Sequence, residues 1–422
     1  MKILVIGGGA AGILAAIAAK ETNPSAQVDL LEKNDKLGKK IFITGKGRGN
    51  LTNAADPEDF FANYITNPRF LYSALHEFTN RDIQKLLEAH GCRVKTERGN
   101  RVFPVSDHAY SITDALKHAL KKLHVNIRYK TEVHRLLISD GCITGIETSH
   151  GREEADAVIV CTGGLAYPST GSTGDGYRFA REAGIKVTET FPSLVSLDVH
   201  EEDAYRLRGL SLKNIGIQIC DESGKNYYRD FGELQFMESG LRGPVIISAS
   251  AIVTKYVNCQ DLSNRKILTV HIDLKPALDV HQLDERLLRD FDEFKSKELR
   301  NAFSNLLPAQ FIPVFLDRLA KKGIDINQRV SEVNRNTRKQ AVNLLKDFTY
   351  TIQGTGSFKE AIVTQGGVSV KELNPKTMES RSVHGLYFAG EVIDVDGYTG
   401  GFNMQMAFST GYLAGKSAAL YQ

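Results

Sequence analysis

The residues with the clearest chemistry are Gly7, Gly9 and Gly12, spaced Gly-x-Gly-x-x-Gly, with Glu32 twenty residues past the last of them. That pattern suits a dinucleotide pyrophosphate. The first glycine permits a tight turn, the second lets backbone approach the phosphates, and the third lets a helix pack closely on a strand. Ala10 and Ala11 fall at the helix start, where free N–H groups and the positive end of the helix dipole favour anions. A carboxylate at Glu32 can accept hydrogen bonds from a ribose diol, and an acid there disfavours a 2′-phosphate.

The flanking elements must place these residues. Ile3-Leu4-Val5-Ile6 is a short apolar run of the kind a buried parallel strand shows, and an Ala-rich helical stretch follows to Lys20. A second apolar strand, Val28 to Leu31, ends in Glu32. An apolar opening also fits a secretion signal, but a single Lys precedes it and three adjacent glycines interrupt it.

Three later segments turn a general dinucleotide site into a flavin site. Gly385 to Glu391 is an apolar strand ending in Ala-Gly-acid, which resembles the second FAD motif of glutathione-reductase-like flavoproteins; the resemblance implies that the acid, Glu391, contacts the ribityl chain and that Gly390 belongs to the cofactor site. Asp396 to Asn403 leads through Gly400-Gly401 into Phe402, Asn403 and the last helix. A glycine pair lets backbone pass flat against a planar ring, and a helix start there would stabilise negative charge on a reduced flavin. Val158 to Gly164 is an apolar strand followed by Thr162-Gly163-Gly164, similar to the point where such folds leave the FAD domain.

Bulk properties narrow the class. A chain of 422 residues with a formal charge of +3 has room for two or three domains and offers no basic field for nucleic acid or membrane surfaces. The five cysteines are scattered and never spaced Cys-x-x-Cys, and the eleven histidines show no ligand spacing, so no metal site is expected. No apolar run is long enough to span a membrane, and a cytoplasmic location is the default.

Along the chain, helical periodicity occupies roughly 68–90 and about 110–123, and alternating patterns run from Val125 to Thr148 with a hairpin turn at Asp140-Gly141. Residues 193–275 read as short alternating strands, such as Ile215 to Cys220, and residues 280–347 as charged helices. The opening style then returns. The expected fold is α/β: a discontinuous Rossmann-like FAD domain built from 1–192 and 362–422, with 193–361 inserted as a β-barrel-like part plus a helical part.

With these segments in hand, the chain resembles a specific family. It is similar to the bacterial NAD(FAD)-utilizing dehydrogenase or aminoacetone-oxidase-like flavoproteins, which include bile-acid-inducible flavoprotein reductases. Besides the segments above, the matching stretches are Gly38-Lys39-Lys40, Thr44 to Asn53, Tyr167 to Gly176, Ser239 to Pro244 and Thr364 to Val368. The resemblance implies non-covalent FAD and a cradle that includes Lys33, Lys40, Gly45, Arg48, Asn50 and Thr52, with Lys46 and Arg48 supplying positive charge. One departure stands out: the family usually reads Gly-Arg-Cys-Asn where this chain has Gly47-Arg48-Gly49-Asn50, so no thiol acts there.

The expected chemistry is hydride transfer at flavin N5, with NAD(P)H as reductant and a small or medium hydrophobic acceptor, such as a double bond conjugated to a carbonyl. No second Gly-x-Gly-x-x-Gly unit follows a strand, so NAD(P)H would have to dock beside the flavin. Tyr167 is the candidate proton donor. The alternatives are a flavin-dependent RNA-modifying protein and an oxidase using oxygen.

Overall fold

The computed structural model describes residues 1–421 apart from Ser239; Ser239, which opens one of the quoted motifs, and Gln422 lie outside the described residues. The chain divides into two compact units. One comprises Met1–Ser193 with Ser357–Gln422, and the other Leu194–Gly356.

The first unit is built on five parallel strands. Their order is Leu386–Phe388, Ala157–Val160, Lys2–Ile6, Gln27–Leu31 and Asn126–Arg128. The central strands are apolar throughout because both faces of the sheet are covered: Ile3, Leu4, Val5, Val158, Ile159 and Val160 are fully buried. Helical periodicity between 68 and 90 resolves into a 3-10 turn, Pro68–Leu71, and two helices, Tyr72–Glu77 and Asn80–Ala89. The break falls where Thr79 and Asp82 form a reciprocal capping box, which satisfies helix-start N–H groups and starts a new helix. Asp140 and Gly141 both take positive φ at the tip of the hairpin Val133–Ser139/Cys142–Thr148, as the turn signal requires.

The two ends of the chain meet along one helix–helix contact. The first helix, Ala10–Thr22, lies against the last, Phe402–Ala419. A Cβ on Gly411 would sit 2.2 Å from the Ala11 carbonyl oxygen, and one on Gly415 would sit 2.0 Å from that of Ala15. Glycine inside a helix costs about 1 kcal/mol relative to alanine, so these two positions trade helix propensity for close approach. Gly415→Val is expected to cost about 1–3 kcal/mol or more through overpacking, read as a lowered thermal midpoint.

The second unit contains a closed antiparallel barrel. Its strands run in the order Leu197–Val199, Gly240–Arg242, Asn226–Phe236, Ser211–Asp221, Leu268–Asp273 and Phe348–Thr355. Ile217, Ile219, Phe236, Val270, Ile272, Phe348 and Tyr350 belong to its core. Two features depart from the sequence expectation. Pro244–Val257, within the stretch read as strands, is a helix: its β-branched residues mask it, but Gly243 and a proline in its first turn start it. The last barrel strand, Phe348–Thr355, comes after the helices Val280–Glu293, Ile312–Lys321 and Arg335–Lys346, so the helical part is an excursion within the barrel rather than a segment after it.

Candidate functional site

The glycine turn at residues 7–12 forms for reasons that lie in the backbone. Gly7 has φ of 104°, and a Cβ on Gly12 would lie 1.9 Å from the Gly7 carbonyl oxygen. Apart from its immediate chain neighbours, no protein atom lies within 4 Å of where a Cβ on Gly9 would sit. Gly9 caps the first helix without any side-chain hydrogen bond, and Gly7, Gly9 and Ala10 are partly exposed. The turn is therefore closed on the side of the sheet and open above the helix start, where free N–H groups can meet a pyrophosphate.

Glu32 faces the same turn. One carboxylate oxygen accepts the Gly8 N–H at 2.9 Å, and the other accepts the backbone and side-chain N–H groups of Asn34, both at 2.7 Å. The carboxylate is thereby oriented, and an oxygen with a single bond keeps a lone pair for a ribose hydroxyl.

The Thr162-Gly163-Gly164 exit and the Ala389-Gly390-Glu391 strand end converge beside it. A Cβ on Gly390 would lie 2.7 Å from the Ala11 Cβ, and one on Gly164 would lie 2.4 Å from Thr364 Oγ1 and 3.0 Å from Glu391 Oε1. Gly163 has φ of 71° and abuts Ser172. Lys40 Nζ donates to Glu391 Oε2, while Thr364 N–H donates to Glu391 Oε1 at 2.9 Å. Thr364 Oγ1 in turn accepts the N–H groups of Leu165 and Ala166 at 2.8 and 3.0 Å. In the sequence, the one signal for Thr364 is its place two residues before the Gly366-Gly367 pair.

Tyr167 follows directly. It is half-buried and takes the left-handed conformation, φ 53° and ψ 62°. Its N–H donates to the Phe358 carbonyl at 3.0 Å, and its own carbonyl accepts from Thr170 N–H and Oγ1 at 2.9 and 2.8 Å. A bulky residue in this region costs of order 1–3 kcal/mol and persists only where its surroundings over-determine it.

The Gly400-Gly401 turn is demanded by chain packing as well as by any ring. Gly400 and Gly401 have φ of 119° and 105°, and a Cβ on Gly401 would lie 2.3 Å from the Thr52 backbone. Asn53 Nδ2 donates to the Gly400 carbonyl at 3.1 Å. With its amide turned so that the oxygen faces Gly401, the orientation its neighbours require, Asn50 accepts the Gly401 N–H at 3.2 Å and donates to the Thr52 and Val102 carbonyls. Gly45, at φ of 56°, packs against Phe103 and Asn50.

Several side chains expected to touch the cofactor are committed elsewhere. Lys33 is paired with Asp175 and Thr173, both at 2.6 Å. Arg48 forks onto Glu97 and Asp107 and stacks 4.3 Å from the Phe103 ring centroid. Thr52 is fully buried and donates to Gln405. Phe402 packs edge-on against Phe60 and Tyr64, and Asn403 folds back onto Gly397 and Tyr398. Lys46 is exposed, with φ of 59°. Lys33, Arg48, Thr52 and Phe402 each have a partner far along the chain that spacing does not reveal, whereas Asn403 closes its own loop.

Arg48 and its partners are a charge cluster. Its guanidinium is pushed above the ordinary range by its hydrogen bonds to Glu97 and then Asp107. Arg48 holds the Glu97 carboxyl low, and Lys95 followed by Arg48 does the same for Asp107. Carboxyls depressed on folding contribute stability above their unfolded values of about 4 and lose it as pH falls through their folded values. Acidification below about pH 4 should therefore lower the thermal midpoint. Arg48→Ala should flatten that acid limb while leaving FAD content unchanged, measured by thermal denaturation against pH and by the flavin-to-protein absorbance ratio.

The family described as HI0933-like protein Rossmann domain matches residues 1–417. This chain belongs to that family. As an HI0933-like flavoprotein it is an FAD-dependent oxidoreductase. The chain is 33% identical over 423 residues to the 3-dehydro-bile acid delta(4,6)-reductase of Clostridium scindens, covering 99% of each. It is 30% identical to the ribosomal RNA dihydrouridine synthase of Haemophilus influenzae, over 97% of this chain and 96% of that one. Its fold is similar to that of 3-ketosteroid-delta4-(5alpha)-dehydrogenase from Rhodococcus jostii RHA1, with a TM-score of 0.51 at 16% identity, over 99% of this chain and 96% of the other. Among the described residues, no helix of this HI0933-like flavoprotein is long and apolar enough to cross a membrane.

The residues present fit FAD. The Gly7–Gly12 turn with Glu32 would hold the adenosine and pyrophosphate, and Gly390, Glu391 and Lys40 would lie along the next part of the cofactor. The Gly400-Gly401 turn would meet the ring, where the last helix begins with no side-chain cap on its free N–H groups.

Proposed function

We propose that this flavoprotein saturates a carbon–carbon double bond conjugated to a carbonyl, taking its electrons from NAD(P)H. One observation carries the reading: two relatives that align along nearly the whole chain are named for different substrates with one shared chemistry. A delta(4,6) double-bond system beside a 3-keto group and the uracil 5,6 double bond beside its 4-carbonyl are both enone-type acceptors.

Bound FAD supplies the hydride chemistry at N5. The chain's own residues hold the cofactor, orient Glu391 through Lys40 and Thr364, and present Tyr167. The β carbon of the acceptor takes hydride and the α carbon takes a proton, so each double bond consumes one NAD(P)H and one proton. Tyr167 Oη is the donor of that proton. Its over-determined left-handed backbone is the support for assigning it a role beyond packing.

A small hydrophobic enone is the favoured acceptor, with the cytoplasm as the site of action. A second reading, a uracil in ribosomal RNA, is supported by the Haemophilus influenzae relative. Its weakness is the near-neutral charge of +3, which offers little for phosphate contacts.

The test begins with anaerobic mixing of the yellow protein with NADH or NADPH; bleaching of the flavin band is expected with one of them, and no bleaching with either removes the nicotinamide donor. The reduced protein is then offered a 3-keto-4-ene steroid and, separately, ribosomal RNA from a strain lacking this gene. Reoxidation with saturated steroid as product supports the first reading. Dihydrouridine in the RNA, with no turnover of the steroid, replaces it with the second.

A further inference from the structure

We propose that Gln405 is a positioning residue that sets the aim of the last helix at the flavin ring. It lies within the first turns of that helix and is fully buried, in a place where an apolar residue would cost less. Its Oε1 accepts from Thr52 Oγ1 at 2.7 Å, and its Nε2 donates to Ser409 Oγ at 3.0 Å and to the Phe78 carbonyl at 3.2 Å. Ser409 Oγ also donates to the Phe78 carbonyl, at 2.6 Å. Thr52 and Ser409 are fully buried too.

The connections close into a ring. Gln405 holds the Thr52 side chain, and the Thr52 backbone lies directly against Gly401. Asn50 and Asn53, on either side of Thr52, hold the Gly401 N–H and the Gly400 carbonyl. The Gly401 carbonyl accepts the Gln405 backbone N–H at 3.0 Å, which returns to the start. The Gly400–Phe402 turn is therefore tied to strand Thr52–Asn53 at the Gly400 carbonyl, at the Gly401 N–H and by backbone contact. The free N–H groups of residues 402–404 point where this ring directs them.

Those N–H groups stabilise negative charge only if they are aimed at it, because the dipole effect fades within one helical turn. Loosening the ring should make the bound flavin harder to reduce. The inference rests on the flavin alone and not on the identity of reductant or acceptor, so it stands or falls separately from the reading above.

The measurement is the midpoint potential of the FAD-loaded full-length protein, by anaerobic equilibration with reference dyes. Thr52→Val removes the donor to Gln405 with little change of volume. It is expected to shift the reduction equilibrium about tenfold toward oxidised flavin, about 30 mV for a two-electron couple. Gln405→Leu should shift it in the same direction, and Thr52→Ser, which keeps the donor, should restore the wild-type value. Ser409→Ala removes a bond to the Phe78 carbonyl and one of the two acceptors of Gln405 Nε2, but leaves the Gln405–Thr52 and Gln405–Phe78 bonds in place; it should lower the thermal midpoint and leave the potential where it is. The proposal is overturned if Thr52→Val matches wild type in potential, or if Ser409→Ala shifts the potential as far as Thr52→Val does. Should Gln405→Leu fail to fold, the Thr52 pair alone decides.

Discussion

Gly12→Val is expected to give a protein that purifies nearly colourless. The valine Cβ would start 1.9 Å from the Gly7 carbonyl oxygen, a backbone atom in a turn that cannot move without dragging the sheet. Overpacking of this kind costs about 1–3 kcal/mol. Borne by the turn that meets the pyrophosphate, that cost weakens FAD binding by about 5- to 140-fold at 1.4 kcal/mol per decade. Gly9→Ala makes the informative contrast. The space above Gly9 is open to 4 Å, so the apoprotein should keep its thermal midpoint and lose affinity only through collision with the cofactor. Titration of both apoproteins with FAD, alongside their melting curves, separates a broken turn from an obstructed one. Equal affinity of Gly9→Ala and wild type would remove the pyrophosphate from this turn.

Tyr167→Phe is the second large effect. A positioned general acid contributes typically 10²–10⁴-fold, so acceptor reduction should slow by about that factor. Flavin reduction by NAD(P)H needs no proton from Tyr167 and should proceed at the wild-type rate. Phenylalanine keeps the ring, so the strained turn between the Phe358 carbonyl and Thr170 is retained. Stopped-flow measurement of the two half-reactions separates them, and an unchanged oxidative half-reaction would assign the proton to another group.

What the sequence made legible follows from local rules. Gly7, Gly12, Gly390, Gly400 and Gly401 each meet a steric demand that glycine alone relieves, and such demands recur at fixed spacing. The parallel strands announced themselves because burial on both faces leaves only apolar residues. What was illegible depends on partners far away in the chain. Arg48 reads as a source of positive charge for the cofactor cradle, and its pairing with Glu97 and Asp107, 49 and 59 residues on, is invisible to spacing. Asn403, expected among the cofactor residues, differs: its amide closes its own loop onto Gly397, a turn contact no motif announces. The helix Pro244–Val257 was hidden by valines and isoleucines whose strand preference tertiary packing overrode. Gln405 carried no motif at all, and only its burial among hydrogen-bond partners marks it.

The contact of Ala11 and Ala15 with Gly411 and Gly415 has a consequence for the order of events during synthesis. The first helix, Ala10–Thr22, is made before the helix that covers it, Phe402–Ala419, and the whole Leu194–Gly356 unit is made in between. Until the covering helix is made, the small-residue flank of the first has no native partner. The Leu194–Gly356 unit, whose strands close on themselves, is complete well before that moment. Domains generally fold as units during translation. The nascent chain should therefore carry a finished barrel while the cofactor site is still unfinished, with FAD captured only once Phe402–Ala419 has been made. A truncation ending before residue 402 would then be an apoprotein with a folded barrel.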